Sequence, residues 1–224
     1  GLFQRFAAMP DTIAVTAGQM GPIGGEWLRP ADAPNDGRAI LYFHGGGGIA
    51  GSPQSHRGLA GRLAAASGIG VFVPAYRLAP ECWGPAAGRD GIDVYRALIA
   101  KGRDGAKVAL AGDEIGGGLA FAVTLAIRNA GLEMPACVAA LSPWADLSLS
   151  GLSILSNAAA DRTLDWETLF LCARHVLRKS NPGDAYASPA YASFKDFPPV
   201  MVHAGAREIL RDDASKLGDR AAEA

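Results

Sequence analysis

The stretch Ala111–Gly–Asp–Glu–Ile–Gly–Gly–Gly–Leu119 constrains this chain more than any other. It follows a short apolar run, Val108–Leu110, and opens an apolar, alanine-rich segment reaching about Ala130. A strand, a glycine-dense sharp turn and a helix are thereby predicted in direct succession. Small residues around such a turn let strand and helix approach closely, and one side chain is presented above the sheet. By spacing, the presented residue is Glu114.

The remaining pattern supplies the sheet that such a turn needs. Thr12–Thr16 and Glu26–Leu28 read as strands around a Gly/Pro turn, and Pro30–Gly37 as a polar loop. Ala39–Phe43 and Gly70–Val73 read as buried strands, and Ala136–Leu141 and Val200–His203 as further strands. Helical spacing covers Ser55–Ala66, Gly91–Ala100 and Asp213–Ala222, and a short helix is predicted over Leu2–Met9. Between Asp146 and Pro199 the chain becomes loop-rich, with one helix at Leu164–Leu177 that Asp161 or Thr163 would cap. Strands alternating with helices predict an α/β fold: an open, mostly parallel sheet covered on both faces. With no internal repeat or linker, residues 1–224 read as one domain with a lid-like insertion at 146–199.

Bulk composition removes several classes of function. At 224 residues and 49% hydrophobic, the chain is long enough for a sizeable core. A formal charge of −1 gives no electrostatic reason to expect nucleic acid or an anionic membrane as partner. No apolar run approaches a membrane span, and no secretory signal pattern opens the chain. Cys82, Cys137 and Cys172 form no CxxC pair and read as reduced thiols of a cytoplasmic protein, not as a disulfide framework or a metal site. No cofactor is expected.

A second glycine turn, His44–Gly45–Gly46–Gly47–Gly48, ends the Ala39–Phe43 strand. In open parallel sheets ligands bind beyond the carboxyl ends of the strands, where both glycine turns lie. Two sets of backbone N–H groups would converge there as an oxyanion hole. A flexible loop and a phosphate cradle are the alternatives. Neither turn has dinucleotide spacing, and no Walker lysine follows either.

In this order His44–Gly–Gly–Gly47, Tyr76–Arg–Leu–Ala–Pro–Glu81, Gly112–Asp…Gly–Gly117 and Leu141–Ser–Pro–Trp144 resemble the motifs of the bacterial hormone-sensitive-lipase-like esterases, which have the α/β-hydrolase fold. The resemblance covers nearly the whole chain. It implies cleavage of short carboxylic esters by a Ser–His–acid triad beneath a cap to which 146–199 contributes. It maps the oxyanion donors to the amides of Gly46, Gly47 and Ile115, with His44, Gly45, Asp113, Gly116 and Gly117 supporting them. Glu208, opening Glu208–Ile–Leu–Arg–Asp212, maps to the triad acid. A small ester or hydrophobic molecule is the implied ligand, and the family's pairing through its last strand makes a homodimer a further expectation.

Two departures accompany the likeness. The family's elbow serine is Glu114 here, and its alanine neighbour is Ile115. The triad histidine, which follows one more strand in the family, is expected beyond Ala224 together with that strand. His44 is assigned to the glycine motif, His56 to a helix, His175 to the insertion helix and His203 to a strand. A carboxylate at residue 114 is longer than serine and already ionised, and it is expected to reach into the oxyanion hole and fill it. The chain as written is therefore expected to be inactive or severely impaired. The alternatives are a pseudo-hydrolase that binds a small hydrophobic ligand and, further off, a hydrolase using a carboxylate nucleophile.

Overall fold

The computed structural model describes residues 8–224. The helix expected over Leu2–Met9 lies largely outside those residues. Seven strands form one sheet: β1 (Ile13–Met20), β2 (Ile23–Pro30), β3 (Ala39–Phe43), β4 (Val71–Pro74), β5 (Val108–Asp113), β6 (Cys137–Leu141) and β7 (Val200–His203). Their order is β1-β2-β4-β3-β5-β6-β7. The hairpin β1–β2 and the β2–β4 pair are antiparallel, and every pairing from β4 to β7 is parallel. The architecture is α/β, a mostly parallel sheet with helices on both faces.

All five residues of β3 are buried, as befits a central strand covered on both sides. Successive side chains point to opposite faces. Leu41 and Phe43 join Phe72, Leu110 and Val138 in the larger core, under α2 (Ala86–Ala100) and α3 (Ile115–Asn129). Ile40 and Tyr42 face the other way, toward Ala60 and Ala64 of α1 (Arg57–Ser67). The last helix, α6 (Arg211–Ala222), inserts Leu217 into the larger core. A third cluster joins Trp144 and Leu147 to Leu169, Cys172, Ala173 and Leu177 of α5 (Trp166–Leu177), and to Ile209 and Leu210. It lies over the carboxyl ends of the strands. Among the described residues no helix is long and apolar enough to cross a membrane.

Several boundaries differ from the sequence expectation for identifiable reasons. β1 runs on to Met20 because Gly18, a weak strand former by itself, pairs with Gly25 under the rings of Trp27 and Phe72. Gly21, at φ 60°, takes the left-handed position of the two-residue hairpin turn. α2 begins at Ala86, before its apolar periodicity starts, directly after Pro85. α5 is capped by Asp165, whose carboxylate accepts the Thr168 amide at 2.7 Å, and not by Asp161 or Thr163. Asp161 instead accepts the amides of Thr163, Leu164 and Ile209, which ties the 146–199 segment to the loop before α6. A further short helix, α4 (Ser153–Ser156), also falls within that segment.

Candidate active site

The turn between β5 and α3 places Glu114 at φ 52° and ψ −123°, a region that ordinary side chains rarely occupy. Such a conformation costs on the order of 1–3 kcal/mol and persists only where the surroundings over-determine it. Here they do. The Glu114 amide donates to Leu141 O at 3.0 Å, and Glu114 O accepts from the amides of Trp144 at 2.8 Å and Gly117 at 3.0 Å. Gly116 lies against the carbonyls of Phe43 and His44, and Gly118 against that of Trp144, so a Cβ at either position would meet backbone. The Leu141–Trp144 stretch is thus the brace of the turn.

The facing loop depends on glycine for its conformation. Gly46, Gly47 and Gly48 have φ values of 127°, 65° and 70° in succession. The loop is held from outside by Ala79 N, which donates to Gly48 O at 2.8 Å. Tyr76 stacks on His44 with ring centroids 4.4 Å apart and donates its hydroxyl to His44 O at 2.6 Å. Burial pushes the His44 imidazole down to about 4, so it is neutral at pH 7.

These two turns meet at the Glu114 carboxylate. Its Oε2 accepts the amides of Gly46 and Gly47, each at 2.7 Å, while its buried Oε1 has no hydrogen-bond partner. Burial raises the carboxyl above the ordinary glutamate range, and the Gly47, Gly46 and Ile115 amides oppose that shift. Ile115 makes no well-aligned hydrogen bond of its own to the carboxylate, so the donors in direct contact are two rather than three.

Asp113 fastens the two turns together. Its Oδ1 accepts the Tyr42 hydroxyl at 2.7 Å and the Gly45 amide at 3.0 Å. Its Oδ2 lies 3.5 Å from Nε2 of His56. His56 was expected to serve only a helix. It ends the 3-10 turn Gln54–His56 ahead of α1, but its ring faces the site, 5.2 Å from that of His44. Neither His56 nor Tyr42 stood out in the sequence, because nothing local links residues 42, 56 and 113.

Glu208 stands apart from this cluster. It lies in the loop before α6, with its carboxylate against Gly205 and its buried Oε2 unpaired. No hydrogen bond or ion pair joins it to Glu114 or to any of the four histidines. Its loop is well held: Asn157 donates to Ala206 O and Glu208 O, and Ser153 to Ile209 O. His175 belongs to α5, and His203 ends β7, exposed.

α5 covers the glycine loop. A Cβ on Gly47 would lie 2.5 Å from Cys172 Sγ, and one on Gly48 would lie 2.7 Å from Val176. Beside Ile115 and Gly48 opens a cavity of about 490 Å³, walled by Tyr76, Trp83, Trp144, Leu119, Val176 and Leu177. Two converging amides, a strained turn presenting one side chain, and an adjoining apolar cavity form a site suited to holding an oxyanion beside an apolar group.

This arrangement is that of an α/β-hydrolase, and a family model described as alpha/beta hydrolase fold matches residues 40–224; the chain belongs to that family. Its neighbours place it with the bacterial hormone-sensitive-lipase-like esterases. A crystal structure of an esterase from the bacterial hormone-sensitive lipase family superposes with a TM-score of 0.95 at 36% identity, covering 99% of this chain and 74% of that one. An esterase/lipase from an uncultured bacterium gives 0.93 at 36% identity, with the same coverage. An acetyl-hydrolase of Streptomyces hygroscopicus is 42% identical over 199 residues, 89% of this chain and 66% of that protein. An esterase of Acinetobacter venetianus is 34% identical over 186 residues, 83% of this chain and 61% of that protein. The chain thus spans somewhat less than two thirds of the length of these curated relatives.

Proposed function

We propose that this chain is a carboxylic ester hydrolase scaffold for short-chain esters, disabled by its own elbow residue. In this reading the amides of Gly46, Gly47 and Ile115 polarise the ester carbonyl. Position 114 is that of the nucleophile, Glu208 is the triad acid, and the 146–199 segment is part of a cap. Esterase chemistry needs a hydroxyl at the elbow that a base can activate. Glu114 has none, and its carboxylate takes the place that a developing oxyanion would occupy. The observation that carries the reading is the pair of 2.7 Å contacts from Gly46 and Gly47 to Oε2.

The test uses a chromogenic short-chain ester and the full-length gene product, before and after Glu114→Ser. Background rates in the natural protein and a gain of several orders of magnitude in the serine variant are expected, since losing a triad serine costs that much. A natural protein already as fast as the variant would sink the proposal.

A second reading, a pseudo-hydrolase that binds a small hydrophobic ligand, draws support from the apolar cavity of about 490 Å³ beside Ile115. It calls for saturable binding of a short ester or its alcohol without turnover in the natural protein. It fails if calorimetry detects no binding at millimolar ligand.

A further inference from the structure

The elbow carries two adjacent carboxylates, Asp113 and Glu114, and each is held by amides of the same glycine loop. Burial disfavours the ionised form of Glu114, and the adjacent Asp113 charge adds to that penalty. Something must offset the pair if Glu114 is to remain an anion between Gly46 and Gly47. We propose that His56, protonated and acting through Asp113, is the counter-ion that keeps Glu114 ionised in the amide pair, and so is a positioning residue of this site. The proposal rests on the reading of Glu114 as an internal anion.

The surroundings of the ring favour its protonated form. Nδ1 lies 2.9 Å from Ser55 Oγ and 3.4 Å from Ser52 O, a carbonyl that can only accept. On the opposite side of the ring Nε2 faces a carboxylate, Asp113 Oδ2, at 3.5 Å, and there too a proton is favoured. Acceptors on both sides of the ring favour the imidazolium. Burial alone would lower its pKa, but the hydrogen bond and charge of Asp113, the Ser52 carbonyl and the charge of Glu114 together raise it above the ordinary histidine value.

Among the described residues no other cation meets the two carboxylates. His44, the nearest ring to His56, is neutral. Arg57, next in sequence, turns away to pair with Glu26 on β2 at 2.6 Å. Tyr42 on β3 hydrogen-bonds Asp113 as a neutral donor, and burial holds Tyr76, after β4, un-ionised. Burial and the nearby Glu114 charge do the same for the Cys172 thiol of α5. Among the described residues His56 is thus the one positive group of the titratable side chains packed around Asp113 and Glu114. When it loses its proton, the pair is left with unbalanced repulsion, and Glu114 gives up its charge or leaves the amides.

The test is a pH titration by NMR of the full-length protein, labelled with ¹⁵N-histidine and ¹³Cδ-glutamate. The Glu114 resonance is assigned by its loss in Glu114→Gln. The natural protein should show His56 titrating above about 6.5, with a second inflection of the Glu114 carboxyl at the same pH. In His56→Gln, which keeps a donor toward Asp113 but no charge, that inflection should vanish and the Glu114 midpoint should rise by about one pH unit or more. A purely structural His56 would leave the midpoint where it was. The proposal is overturned if the midpoint does not move, or if His56 titrates below its ordinary value. The latter is read on the natural protein even where the variant does not fold. If the Gly46 and Gly47 amides ignore the Glu114 titration altogether, the internal-anion reading fails as well; if they follow it while His56→Gln changes nothing, only this proposal fails.

Discussion

The carboxylate of Glu114 lies 2.7 Å from the amide nitrogen of Gly47, across a gap of 67 residues in sequence, and the Gly46 amide shares the same oxygen. One oxygen atom therefore carries both contacts of this side chain with the glycine loop, while its partner oxygen has none. Hydrogen bonds to a charged group contribute about 1.5–3 kcal/mol each. Glu114 and its neighbour Asp113 together fasten the turn to the loop.

Truncating that side chain should release the loop amides. In Glu114→Ala the proton resonances of Gly46 and Gly47 should move upfield and lose their dependence on pH. The natural protein should show both following the titration of the Glu114 carboxyl. Two-dimensional ¹⁵N spectra between pH 4 and 9 check this, and unchanged amide shifts in the variant would count against the contact.

The glycine loop should tolerate no side chain. Gly46→Ala forces a Cβ at φ 127° into the carbonyl of Ala50, whereas Gly68, at φ 68° after α1, has nothing within 4 Å of a built Cβ. The left-handed conformation by itself costs about 1–2 kcal/mol. Gly68→Ala should lose about that much in urea denaturation. Gly46→Ala should lose clearly more, because the clash is with backbone that cannot rotate aside.

Asp213 sets a pH dependence of known sign. Its buried carboxyl accepts the amides of Ala145 and Asp146 at 2.9 and 2.8 Å, yet burial and the nearby Asp146 charge push it up to about 7. A carboxyl raised in the folded state binds its proton more tightly there than in the unfolded chain. Its contribution to stability is full below about pH 4 and is lost as pH rises to 7. Asp213→Asn keeps an acceptor for both amides and cannot ionise. Thermal melts should find it more stable than the natural protein at pH 8, with the gap closing by pH 4 to 5.

Tyr42→Phe should cost about 1.5–3 kcal/mol, the range for a hydrogen bond to a charged acceptor. It removes the 2.7 Å donor to Asp113 from a fully buried ring whose packing the phenyl group keeps. Chemical denaturation measures the loss. A cost below about 0.5 kcal/mol would show that Asp113 relies on Gly45 and His56 instead.

Local chemistry determined much of this protein within the sequence itself. Ala39–Phe43 reads as a buried strand because a continuous apolar run of that length fits a doubly covered sheet, Val200–His203 reads as a further strand, and both strands carry those bounds. The two glycine turns were legible because positive φ and close backbone approach leave glycine as the residue that fits. What the sequence alone did not reveal were pairings with no local signature. Asp161 and Thr163 are the caps that spacing suggests; only the path of the loop before α6 draws Asp161 to the Ile209 amide, and the helix is capped by Asp165 instead. His56 looked like an ordinary residue at a helix start until the sheet brought the end of β5 beside it. Its charge state depends on Asp113 and Glu114, which become neighbours of the ring only on folding. Backbone conformation and burial pattern are written residue by residue, whereas the electrostatics of a site depend on distances between segments, which only the tertiary structure supplies.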